Sequence, residues 1–108
     1  MSNCPCNSED IGFQGGDYKY AVSMTAEGFD MNTDDWVITV RGGCRTLTFT
    51  PENAIHDQDD DQWYICINTD LLGPGQAYIT FEAHVPDTDF EAGFRREKET
   101  YRLIFINA

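Results

Sequence analysis

The sequence predicts an all-β chain: an immunoglobulin-like sandwich of six to seven antiparallel strands. Three observations point there. Apolar and polar residues alternate strictly over strand-length stretches, turn residues fall between those stretches, and no stretch of useful length keeps the 3.6-residue period of a helix. A chain of 108 residues holds a single core, and short strands joined by turns are accommodated in two packed layers. A small barrel gives the same alternation and is the alternative. Aromatic residues make up 13% of the chain and supply the bulk for a core, because each ring buries a large area. Residues 1–16 read as a flexible polar tail and 17–108 as the sandwich domain.

The elements follow in order. Tyr18, Tyr20, Val22 and Met24 alternate with Lys19, Ala21 and Ser23, a first strand ending near Gly28. Trp36 to Arg41 and Cys44 to Thr50 flank Gly42-Gly43, the pattern of a tight hairpin whose turn calls for positive φ. With Arg41 opposite Cys44, Trp36 faces Phe49, Ile38 faces Leu47 and Val40 faces Arg45, so apolar residues meet on one face. Pro51 stops this strand, and Asp57 to Asp61 form an exposed acidic loop. Gln62 to Thr69 is a strand with Trp63, Ile65 and Ile67 inward and Tyr64 and Cys66 outward. Leu71 to Gly75 reads as a turn. Gln76 to Val85 sets Ala77, Ile79, Phe81, Ala83 and Val85 inward against Tyr78, Thr80, Glu82 and His84. A polar loop from Asp87 to Arg96 leads to a last strand, Lys98 to Ile106. Its apolar residues occupy both parities, as in a strand covered on both sides or one that keeps a side for a partner.

Nineteen acidic residues against seven basic ones give a formal charge of −12. Such a surface repels phosphate backbones and anionic membranes, which argues against both as partners. The first ten residues, MSNCPCNSED, lack the basic start and apolar run of a secretory signal, and no apolar stretch is long enough to span a bilayer. The expectation is a chain made in the cytoplasm. Cys44 and Cys66 fall on polar parities and Cys4 and Cys6 in the tail, so free thiols are expected rather than an inter-sheet disulfide.

No residue pattern carries catalysis, and no cofactor is expected. Asp57, Asp59 and Asp61, with Asp87 and Asp89, are the candidates for calcium, which prefers clustered carboxylates. The loop lacks the turn glycine and closing glutamate of an EF-hand, so a solvated acidic loop is the expected state. Convergence of two acidic loops on one end of the sandwich would favour calcium. Zinc would need two close cysteine or histidine pairs; Cys4-Pro5-Cys6 offers one, but His56 and His84 are distant and unpaired in sequence, so free thiols in the tail are the expectation. His84 has no nucleophile placed beside it by the sequence. The chain is therefore expected not to be an enzyme, with a calcium- or carbohydrate-binding module as the alternative.

Two segments, GFDMNTDDWVITVRGG (28–43) and WYICINTDLLGPGQAYITFEAHVPDTDFEAGFRREKE (63–99), form a combination of strands and turns. It resembles small proteins of Bacteroides-type gut bacteria and their phages, and is similar to the immunoglobulin-like N-terminal domain of phage upper-baseplate proteins. Those baseplate proteins continue into a further portion, whereas this chain stops at Ala108. The resemblance implies a non-enzymatic structural or adaptor module of a phage or prophage particle, in its baseplate, tail or fibre. Its partners would be other virion proteins or further copies of itself. On that reading Tyr64, Tyr78, Ile104 and Ile106 are the candidates for a partner-facing surface; covering the second face of the core is their other use.

Overall fold

Alternation divides each strand into an inward and an outward side, and the inward sides meet. The computed structural model describes residues 17–43 and 45–106. In chain order the strands are β1 (Asp17–Val22), β2 (Trp36–Arg41), β3 (Thr46–Phe49), β4 (Ile55–Asp57), β5 (Gln62–Asn68), β6 (Gly75–Pro86) and β7 (Phe94–Ile106), with a one-turn helix α1 (Thr69–Leu72) between β5 and β6. They form two antiparallel sheets, ordered β1-β5-β4 and β3-β2-β6-β7. The chain is thus an all-β sandwich. An immunoglobulin constant-type domain sends its second and third strands to different sheets; here the β2–β3 hairpin stays in one. The tail expected over 1–16, with Cys4 and Cys6, lies outside the described residues, as does Cys44.

The core is built from the expected inward parities: Trp36, Ile38 and Val40 of β2, Ile65 and Ile67 of β5, and Ala77 and Ile79 of β6 are buried. Trp36 and Trp63, 1% and 9% exposed, meet edge to face across the two layers with ring centroids 5.1 Å apart. Such a contact is worth about 1 kcal/mol beyond the area it buries. Leu72, carried into the interior by α1, closes the far end of the core. The sequence reads Leu71 to Gly75 as a simple turn. Instead Asn68 caps one helical turn, its side chain accepting a hydrogen bond from the Asp70 N–H at 2.8 Å, as short polar side chains do at helix starts.

The β2–β3 hairpin departs from the expected register. Ile38 faces Phe49, Val40 faces Leu47 and Arg41 faces Thr46, a slip of two residues with a longer connection closed by Gly42 N–H donating to the Arg45 carbonyl at 2.9 Å. A two-residue slip keeps every side chain on its own face, so apolar matching cannot tell the registers apart. Nor do these two glycines serve positive φ; the glycines that do are Gly28, Gly73, Gly75 and Gly93, and Asp61 adopts it without being glycine. A Cβ on Gly42 would lie 2.5 Å from the Leu72 carbonyl oxygen, and one on Gly43 would lie 2.6 Å from that of Pro74. The pair is there to let two backbones touch.

Two further boundaries differ. β4, three residues long, is too short to show a period. β7 begins at Phe94 rather than Lys98, because its charged start, Arg95 to Glu99, is edge strand rather than loop. Charge on an edge strand discourages unwanted pairing. Between Gln76 and Tyr78 the β6–β7 register shifts, a bulge that exchanges the two parities of β7. Apolar residues on both parities follow from that exchange. Ile106 turns into the core, 3% exposed, while Phe105 opposite Gln76 turns out, 61% exposed.

Alanine at Gly42 is expected to destabilise the fold by about 1 to 3 kcal/mol through backbone overpacking, measured as a lower urea midpoint with unchanged m-value. An unchanged midpoint would mean the β2–β3 turn does not pack on α1.

Candidate functional site

The outer face of the four-stranded sheet is assembled from the outward parities of β3, β2, β6 and β7, and the register aligns them in rows. Thr48, Thr39, Thr80 and Thr100 are successive cross-strand partners, one from each strand. The last two bond through their hydroxyls at 2.9 Å. The neighbouring row reads Thr46, Arg41, Tyr78, Arg102, with the Arg41 guanidinium 5.3 Å from the centre of the Tyr78 ring, within cation–π range. On the other side of the threonines, Val37, Glu82 and Lys98 form a third row. The face is hydroxylated and bordered by cations.

Glu82 anchors the charged half. His84 donates from Nε2 to its carboxylate at 2.6 Å, Lys98 lies at 3.3 Å and the Arg96 guanidinium at 3.8 Å. A carboxylate only accepts, so the proton of the shared bond sits on His84 Nε2. The His84 ring also stacks on Phe94, centroids 4.5 Å apart. The hydrogen bond from His84 is the largest influence holding the Glu82 carboxyl below its ordinary value; burial opposes it, and Lys98 adds to it. Across this face Arg41, Arg96, Lys98 and Arg102 stand against the one carboxylate of Glu82, in a chain whose formal charge is −12.

The acidic residues gather elsewhere. Asn32 Nδ2 donates to Asp61 Oδ1 at 3.0 Å, and the His84 N–H donates to the Asp35 carbonyl at 3.0 Å. These bonds bring the 28–35, 57–61 and 87–93 connections to one end of the sandwich. The connections share one end of the sandwich, and the calcium candidates there are engaged locally. Asp57 Oδ1 accepts from the Asp59 and Asp60 N–H groups, and Asp61 accepts from His56 and Asn32. Asp87 accepts from the Asp89 N–H and pairs with Arg95 at 3.0 Å. Hydrogen bonds from His56 and Asn32 lower the Asp61 pKa; those from the Asp89 N–H and then Arg95 lower that of Asp87. Among the described residues no three histidine, cysteine or carboxylate side chains come together as a metal would require.

The remaining candidates separate. Tyr78 sits in the middle of the threonine–arginine face. Tyr64 lies on the outer face of the opposite sheet, beneath Lys19 Nζ at 4.6 Å from its ring. Ile106 belongs to the core and Ile104 packs against it. Of these two, Ile106 is corrected as a partner-facing residue: the bulge turns it inward. Cys66 is a free, exposed thiol. His56 stacks on Trp63 at 4.3 Å, and His84 is taken up by Glu82. Beyond the cover of the smaller sheet, Glu97, Glu99 and Tyr101 line an open groove beside residues 23–26. The alternation marks Thr80 as outward, but its alignment with Thr39 and Thr100 depends on the pairings of β2 with β6 and of β6 with β7, which no local pattern reveals.

Because the folded-state pKa of Glu82 is depressed, its contribution to stability is present above the ordinary glutamate value of 4.5 and is lost as pH falls through the lowered one. Glu82→Gln is expected to cost about 1 kcal/mol at neutral pH, with the gap to the parent closing in acid, read from urea midpoints across pH. A gap independent of pH would place the effect in packing. Among the described residues no helix is long and apolar enough to cross a membrane. No family model, curated protein or solved structure matches this chain.

Proposed function

We propose that this chain is a non-enzymatic assembly module of a phage or prophage particle, working through protein–protein contacts on the outer face of its four-stranded sheet. The observation that carries the reading is the aligned face itself. A row of threonines and a row of Arg41, Tyr78 and Arg102 lie uncovered, and arginine and tyrosine dominate binding energy at protein interfaces. The rows are carried on paired strands, so the backbone beneath them is already ordered and the ordering cost falls on the side chains. The likeness of the 28–43 and 63–99 segments to phage baseplate domains supplies the particle.

The chain's lysines make the test specific. Lys19 and Lys98 are the only two and lie on the outer faces of opposite sheets. Amine-reactive cross-linking of purified particles, read by mass spectrometry, is expected to find the chain present and joined to its neighbours through Lys98. A chain missing from the particles, or one joined through Lys19 while Lys98 stays unmodified, contradicts the reading.

A further inference from the structure

The charge on this molecule is segregated, and the two parts complement each other. Segments 27–35, 57–61 and 87–93 carry four, four and three of the nineteen acidic residues and no lysine or arginine, all at one end of the sandwich. The outer face of the four-stranded sheet carries four cations around one carboxylate. The ion pairs among the described residues leave Arg41 and Arg102 without a carboxylate partner. We propose that copies of this chain stack head to face, the acidic loop end of one copy seated on the threonine–arginine face of the next.

The chemistry on each side fits. Guanidinium groups take carboxylates in two parallel hydrogen bonds, and the acidic loops offer Asp59, Asp60, Asp89 and Glu91 as exposed side chains. Threonine hydroxyls between the cationic rows supply further donors. Four strands spaced about 4.8 Å apart, with β6 and β7 extending beyond the others, present on the order of 600 Å². That is somewhat below the roughly 800 Å² per partner of a standard interface, so the contact is weak singly and useful in many copies. Each copy offers two different surfaces, which makes the contact heterologous and able to propagate into a ring or a filament.

Net charge imposes a particular salt dependence. At about 0.01 M salt the Debye length is near 30 Å, so two molecules of charge −12 repel as wholes. At about 0.15 M it is near 8 Å, and only the facing surfaces interact; at about 1 M, near 3 Å, that attraction is screened as well. Self-association therefore peaks at intermediate ionic strength.

The inference rests on the assembly reading above and is tested apart from it with purified chain alone. Sedimentation velocity at high protein concentration is expected to give a mass above the 12.3 kDa monomer near 0.15 M salt, falling back at both extremes. Two variants, each checked for an unchanged circular dichroism spectrum, separate the surfaces: R96E/R102E on the face and D59N/D60N/D89N/E91Q on the loops. Each alone is expected to be monomeric. Mixed, they form a one-to-one dimer, because the first keeps its acidic end and the second keeps its face. A chain that stays monomeric at every salt concentration overturns the stacking. So does association that survives both sets of substitutions, or a mixture that does not recover the dimer. If the chain is monomeric alone yet cross-linked to other proteins through Lys98 in particles, stacking fails and the assembly reading stands.

Discussion

The rest of the structure depends on the contact between Trp36 and Trp63. One comes from each sheet, so their edge-to-face packing holds the layers together within the core. Their polar edges do a second job. Trp36 Nε1 donates to the Met31 carbonyl at 3.0 Å and Trp63 Nε1 to Asn32 Oδ1 at 2.9 Å, because a buried indole N–H needs an acceptor. The loop before β2 is thus tied to the core by two hydrogen bonds from the same pair. Asn32 then holds Asp61, and His56 covers Trp63. An end of the molecule crowded with carboxylates is kept in place by two tryptophans.

Once those inward parities are fixed, the outward ones have no freedom. β2, β6 and β7 present Thr39, Thr80 and Thr100 in one row because Ile38, Phe81 and Val40, Ile79 are paired beneath. Arg96, Lys98 and Arg102 of β7 reach the same face as Glu82 for that reason, while Arg95, Glu97 and Glu99 fall on the other parity, where Glu97 and Glu99 line the groove beside residues 23–26. The same short run of charged residues places Arg96 and Lys98 on one surface and Glu97 and Glu99, with Arg95 paired to Glu97, on another. A net charge alone describes neither.

The strands and their buried sides were legible because alternation is local: Trp63, Ile65 and Ile67 could be assigned inward from their own spacing. Register was less legible, since the β2–β3 slip of two residues preserves every face and is decided by the approach of Gly42 to Leu72, thirty positions along the chain. β4 and the start of β7 were missed for opposite reasons, one too short to show a pattern and the other too charged to resemble a strand. Tyr78 was found from its parity, but its partners Arg41 and Arg102 come from pairings between distant segments. The inward turn of Ile106 needed a bulge that leaves no mark in composition.

A double-mutant cycle on Trp36→Phe and Trp63→Phe, followed by urea unfolding, tests the claim that this pair joins the two sheets. A coupling energy of about 1 kcal/mol between the substitutions is the result this account predicts. Losses that add independently, to within about 0.3 kcal/mol, would contradict it.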